Sequence, residues 1–392
     1  MTNINSETAF TGFMVAVFGL GNVIGPVIGG VFTQHLTWRW CFWINLIGGA
    51  VTAILLVSCY HPKKSELTKL PFAQKIKHLD LPGLALFMPS IVMLLVALQW
   101  GGNRFHWKSP TVLGLIMGFI IMMLMFVAWQ WRQQEEASIP PRIAKQRSLY
   151  SAAAICFFGM GAIQVLNYYI PFWFQVIKGL NPQQSGVRYL ALAIPNFVGS
   201  LVCGGLASRF GYYNPYLFFG TAVLAVASGV ISTWKINSGN AMINGVQVMA
   251  GLGISCVGQT PVIGLILLFP DAEMPIVQSL AVFFQFFGGA IFLAIAENLF
   301  VSSLVENLQK FAPMVDTQMV IAIGAAGLRK VVSGKDLDGA LLAYNAAIAQ
   351  TFYLAAIGAV VGFLCSFGMK WRSIKEVQKI KQEAKGISMI TF

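Results

Sequence analysis

Charge is scarce in this sequence. Asp, Glu, Lys and Arg supply only 10% of the 392 residues, where a soluble domain carries about a quarter. With 57% hydrophobic residues and a mean hydropathy of +0.70, the chain has too little polar surface to wrap itself for water. That excludes an ordinary soluble globule and makes the lipid bilayer the expected solvent. Histidine is almost absent: His35, His61, His78 and His106 fall in expected loops, and none has a partner at metal-ligand spacing, so no metal site is expected. The six cysteines, Cys41, Cys59, Cys156, Cys203, Cys256 and Cys365, form no CxxC pair and lie in or beside apolar stretches, which suggests no disulfide or zinc framework. There is no Walker sequence, so ATP is not expected to act directly. No enzyme constellation emerges and no cofactor is expected. Met1–Phe10 lacks a basic segment leading into an apolar stretch and a cleavage site, so neither a signal nor a transit peptide is expected.

The net charge of +12 raises the question of nucleic acid. That reading needs a basic face or a binding motif. The cations instead sit between apolar stretches, so no nucleic acid is expected and orientation in a membrane is. A spanning helix needs about 20 mostly apolar residues. Ten segments qualify: Ala9–Phe32, Phe42–Cys59, Leu81–Leu98, Val112–Trp131, Tyr150–Phe174, Val187–Ala207, Pro215–Trp234, Ala241–Phe269, Ile276–Val301 and Asn345–Met369. With both ends cytoplasmic, the inner connections gather Lys63, Lys64, Lys69, Lys75 and Lys77, then Arg132, Arg142, Lys145 and Arg147, then Arg209, and the tail gathers Lys370, Arg372, Lys375, Lys379, Lys381 and Lys385. That is the bias expected of cytoplasmic loops. Ser302–Tyr344 reads as a long external loop with a surface helix over the short apolar run Met319–Leu328. Trp38, Trp40, Trp43, Trp100, Trp107, Trp131, Trp234 and Trp371 gather at the proposed interfaces, the depth indole favours.

One stretch of the first segment has internal order. Gly21, Gly25 and Gly29 recur every four residues and so form a bare stripe along a helix, with Gly30 next to it. Such a stripe lets another helix approach, and Pro26 removes a backbone donor and bends the helix. The run Trp38-Arg39-Trp40-Cys41-Phe42-Trp43-Ile44-Asn45-Leu46 follows.

Together these stretches resemble the fungal, fourteen-helix drug:proton antiporter branch of the major facilitator superfamily. The glycine–proline stretch is similar to that family's antiporter signature, in the fifth helix of the complete fold. Further similarities follow in order: Leu79-Asp80-Leu81-Pro82-Gly83 and Leu98-Gln99-Trp100-Gly101-Gly102 around the two extra central helices; Tyr168–Gln175, Ser185-Gly186-Val187 and Gly211-Tyr212-Tyr213-Asn214-Pro215 in the second half; and Gln285-Phe286-Phe287-Gly288-Gly289-Ala290 in the penultimate helix. The resemblance implies an all-α, polytopic membrane protein of major facilitator type with about ten transmembrane helices. It implies the last two helices of an N-terminal bundle in 1–60, two extra central helices with basic cytoplasmic loops in 61–148, a six-helix C-terminal bundle in 149–370 and a basic cytoplasmic tail in 371–392. It further implies proton-coupled efflux of small organic compounds such as drugs, toxins or secondary metabolites. The implied partners are the lipid bilayer, a small-molecule substrate and protons, and the implied location is the plasma membrane, with the vacuolar membrane as alternative. Two other readings stay open. A siderophore or basic amino-acid carrier shares the fold. A truncated, transport-inactive membrane fragment would also fit, because the complete fold places four helices before the antiporter stretch. Arg209 and Gly211 echo the family's conformational-switch loop, although Ser208 stands where an aspartate often sits.

Polar residues inside the spans complete the candidates. Glu297 is the only acid well inside an expected span. A carboxylate at membrane depth is costly unless protonated, paired or hydrated, which suits a proton carrier. The alternative is a carboxyl reaching outer water, since the expected span ends at Val301. Gln164, Asn167 and Tyr168 share a helical face, and with Gln175 and Gln285 they are candidates to line a central cavity. Interhelical hydrogen bonding is the plainer alternative.

Overall fold

A computed structural model describes residues 4–59, 80–134, 140–144, 146–270, 273–315, 319–320, 327–329, 332, 334–371 and 373. Its helices are α1 Ile4–His35, α2 Trp40–Cys59, α3 Leu81–Trp100, α4 Pro110–Gln133, α5 Pro141–Ala144, α6 Arg147–Val176, α7 Pro182–Phe210, α8 Asn214–Ile231, α9 Asn240–Leu268, α10 Met274–Phe311 and α11 Lys335–Ser366. Every expected apolar segment lies in one of them. Nine are long and apolar enough to cross a membrane among the residues searched; the remaining expected segment lies in α1, whose side chains are described from Gly19 onward. Among the described residues the β-structure amounts to two isolated bridges, Gly101 with Phe105 and Tyr212 with Ser373. The lysine-rich stretch 61–77 and the tail beyond Ser373 lie outside the described residues.

Local chemistry starts and stops these helices. Asp80 and Ser109 accept from backbone N–H groups of the first turns of α3 and α4. Asn181 and Gln184 form a reciprocal capping box at the start of α7. Gly211 ends α7 at φ 79°, left-handed backbone that a Cβ would strain.

Helices α6 to α11 form a bundle around α6, which buries residues on most of its circumference, including Ile155, Ala162, Val165, Leu166, Ile170 and Trp173. Glycines allow its close packing. A Cβ on Gly288 of α10 would collide with the Phe157 backbone, and one on Gly161 would meet the Phe292 ring at 2.5 Å. The α3–α4 hairpin lies against α10, where Phe87 meets Phe126 and Phe283 at ring-centroid distances of 5.0 and 5.2 Å, and where Asn298 donates to the Leu98 carbonyl. At the hairpin's other end the Asp80 carboxylate accepts from Trp129 Nε1 at 2.8 Å and from Gln130 Nε2 at 2.5 Å. Helix α1 packs along α7. None of α2 is buried, yet its mean hydropathy is 2.0; Leu46 is 72% and Val57 88% exposed. Such a surface is stable facing hydrocarbon and not water.

The connection between α10 and α11 is shorter than hydropathy suggests. Helix α10 runs past Val301 to Phe311, and α11 begins at Lys335 rather than Asn345. Beyond Val301 the helix turns amphipathic: Leu304 and Leu308, one turn apart, stay buried. Asp336 and Asp338 occupy the first turn of α11, where the helix dipole favours negative charge. Most of the expected surface helix, Met319–Leu328, lies outside the described residues.

Candidate transport cavity

A cavity of about 830 Å³ opens between α1 and the C-terminal bundle. Helix α1 gives it Gly21, Gly25, Pro26, Gly29 and Gly30; α6 gives Gln164, Asn167 and Gln175; α7 gives Ser185, Tyr189 and Asn196; α9 gives Ser255 and Gln259; α10 gives Gln285 and Phe286. Among the described residues that line it, none is Asp, Glu, Lys or Arg. The polar groups form a chain. Tyr189 Oη donates to Asn167 Oδ1 at 2.6 Å, and Asn167 Nδ2 donates to Gln164 Oε1 at 3.1 Å. Gln285 Nε2 donates to the Gly258 carbonyl at 3.0 Å and so ties α10 to α9. Gln164 is seated over Gly289, whose missing side chain makes the room.

The glycine stripe has a different role from the packing seam its spacing suggests. A Cβ on Gly21, Gly25 or Gly29 would meet nothing within 4 Å, so this face opens into the cavity. The close approach belongs to the neighbouring face. Gly30 would place a Cβ 2.6 Å from the Pro182 carbonyl oxygen, Gly186 of α7 would place one 2.5 Å from the Pro26 carbonyl oxygen, and Gly19 lies against the Phe197 ring. One residue along a helix turns the side chain by about 100°, which separates Gly29 from Gly30 and Gly25 from Pro26.

Tyr168 is not brought together with Gln164 and Asn167, although it shares their helical spacing. It stacks on Phe172, with centroids 6.5 Å apart and planes at 19°, and lines a second cavity of about 330 Å³. That space also holds Glu297, Asn103, Tyr169, Phe172, Phe300 and Tyr344. Glu297 therefore lies apart from the glycine-lined cavity; α10 continues past it to Phe311, but its side chain is exposed and shares its space with Asn103 of the connection after α3, so a carboxyl reaching water stays open. Arg209 is exposed in the last turn of α7. Just beyond it, Tyr212 pairs with Ser373 and Tyr213 Oη donates to the Lys370 carbonyl, so the switch-like loop holds the start of the tail. Sequence reasoning missed Tyr189 and Ser185 as lining residues. The signal was present: Ser185, Tyr189, Asn196 and Ser200 recur at helical spacings of four, seven and four, a polar stripe on an otherwise apolar helix. Among the described residues no group of three or more His, Cys, Asp or Glu is placed to hold a metal ion.

A helical, multi-pass membrane protein with a large uncharged cavity between its helices is of the transporter class. Residues 5–293 match the sequence family described as Major Facilitator Superfamily, and the chain belongs to that family. It is 37% identical over 365 residues to the "MFS-type transporter astH" of Aspergillus oryzae, covering 93% of this chain and 65% of that protein. It is 35% identical over 373 residues to the "Efflux pump roqT" of Penicillium rubens, covering 95% and 69%. It is 35% identical over 366 residues to the "Efflux pump bfoC" of Aspergillus brasiliensis, covering 93% and 65%. The chain thus spans about two thirds of the length of these relatives. A bacterial homologue of the human lysosomal transporter Spinster, in its inward-facing and occupied conformation, aligns over 90% of this chain and 82% of its own with a TM-score of 0.47 and 14% identity.

Proposed function

We propose that this chain carries the cavity of a proton-coupled secondary transporter that exports small organic compounds. The carrying observation is the roughly 830 Å³ space between α1 and α6, α7, α9 and α10. Its size is in the range of small-molecule sites, which are mostly apolar with a few placed polar groups. Two relatives that bear the words efflux pump in their names support the direction of transport. The described lining residues carry no formal charge, which favours a neutral or amphipathic cargo, held by apolar contact and oriented by Gln164, Asn167 and Gln285. This disfavours siderophores and basic amino acids, whose charges would lack a counter-charge in an apolar wall. Glu297 is the candidate for proton coupling, because it is the carboxyl in a cavity lined by Tyr168, Tyr169, Phe172, Phe300 and Tyr344, and its exposed side chain can exchange protons with water. The plasma membrane is the proposed location.

The test is efflux of an apolar fluorescent substrate from pump-deficient yeast, with and without a protonophore. Gradient-dependent export by the wild type, and gradient-independent or absent export by Glu297→Gln with normal surface expression, is the expected result. Wild-type export that ignores the protonophore removes proton coupling. Normal coupling in Glu297→Gln removes Glu297 from the role while leaving export itself standing.

A further inference from the structure

Two cysteines far apart in sequence meet across helices α7 and α9. Cys203 Sγ and Cys256 Sγ lie 2.6 Å apart, Cys256 buried and Cys203 half-buried. The meeting follows from the helix seam. Gly199, one turn before Cys203, is so near α9 that a Cβ there would sit 2.5 Å from Ser255 Oγ, and Gly251 of α9 abuts the Leu192 carbonyl of α7. With those contacts holding the helices close, the pair is poised for a bond between sulfurs. The alternative of a metal bridge fits poorly. Two thiolates on one tetrahedral ion at about 2.3 Å each stand about 3.8 Å apart, wider than this pair, and no third ligand-type side chain completes a site among the described residues.

We propose that Cys203 and Cys256 form a reversible dithiol–disulfide site, closed by peroxide, that staples α7 to α9 beside the cavity. The sulfur of Cys203, the more accessible of the two, attacks one oxygen of hydrogen peroxide; the S–O bond forms, the O–O bond breaks, and one water leaves with the thiol proton. The sulfur of Cys256 then attacks the Cys203 sulfenic acid, the S–S bond forms, and a second water departs. Two electrons pass from the thiol pair to the peroxide, and a dithiol reductant reverses the step. Ser200 and Ser255 line the cavity and flank the pair in sequence, so the staple fixes the spacing of α7 and α9 at the cavity wall.

The test uses the full chain in detergent micelles, exposed to hydrogen peroxide, alkylated with N-ethylmaleimide and digested for mass spectrometry. The expected product is a Cys203–Cys256 linked peptide, with a loss of two free thiols that dithiothreitol restores. Cys203→Ser and Cys256→Ser each leave the remaining partner alkylated. Both are near-isosteric, and a wild-type elution volume on size exclusion establishes that each variant is folded. If peroxide instead takes Cys203 to sulfinic acid while Cys256 is alkylated, or links only cysteines of different molecules, the site does not exist. The readout is covalent, so it stands or falls independently of whether the protein exports anything.

Discussion

A single carboxylate organises one end of the α3–α4 hairpin. Asp80 accepts from the Gly83 N–H at 3.0 Å, from the Trp129 indole and from the Gln130 amide, so it caps one helix and grips the other. Removing it takes this acceptor from the part-buried Gly83 N–H and Trp129 indole, at up to about 1–3 kcal/mol for each group stranded. Asp80→Ala is expected to lower the melting temperature in detergent and to shift Trp129 emission to the red; Trp129→Phe, which removes one donor only, should cost less. A melting temperature for Asp80→Ala equal to the wild type's would show that the grip is not made. Glycines allow a sharper contrast. Gly30→Leu should loosen α1 from α7, with an overpacking penalty of about 1–3 kcal/mol, whereas Gly25→Ala points its methyl into open space and should leave the melting temperature within a few degrees. Thermal stability monitored by size exclusion after heating separates the two; equal losses would mean that both glycines sit in the seam.

At the scale of elements, the short helix α5 is fastened to the C-terminal bundle by two means. Ile143 is wholly buried among residues that include Leu149, Phe269 and Val277, and Arg142 Nη2 pairs with Glu273 Oε1 at 3.0 Å. The two ends of this ion pair are unequal: the Arg142 side chain is 64% exposed and that of Glu273 only 10%, and Glu273 Oε2 has no hydrogen-bond partner among the described residues. An exposed guanidinium contributes little by itself, but its removal strands a buried carboxylate. Arg142→Ala should therefore destabilise more than Glu273→Gln, and a thermal-melt ranking in the opposite order would contradict this account. The existence of the helices was legible in the sequence because their apolar runs exceed what anything but lipid or a core tolerates. Their outer ends were not. Leu304 and Leu308 of α10 alternate with polar residues that face water, and an average over a window reads such a mixed stretch as loop. The glycine stripe was legible as a stripe, but its direction was not, because spacing defines a face without saying what lies opposite. Gln164 and Asn167 could be placed together from spacing, while Tyr168 could not be separated from them, since it is four residues from Gln164 and four from Phe172 and spacing alone does not say which neighbour it joins.

For the molecule as a whole, the ordered helices and the loop cations together imply one arrangement in the bilayer, with the 235–239 turn outside and the tail beyond Met369 inside. A protease site placed in the first should be cut by enzyme added to intact cells, and one placed after Lys385 only once the cells are opened. The reversed pattern would overturn the orientation. The sequence offers this arrangement as an expectation through its cations. It did not carry the position of the cavity itself, which depends on how α1 leans on α7 through Gly30 and Gly186, a contact between residues more than a hundred positions apart.

Helix α10 has 38 residues. At 1.5 Å per residue it is about 57 Å long, well beyond the roughly 40–45 Å of a bilayer with its headgroups. Its last turns therefore reach past the bilayer, with Leu304 and Leu308 buried and Phe311 against Gly339 at the start of α11. Rotating such a rod by about 10° at the level of Gln285 sweeps its tip through several ångströms, so a subtle lean within the membrane becomes a large movement where a spectroscopic label or an antibody can reach it.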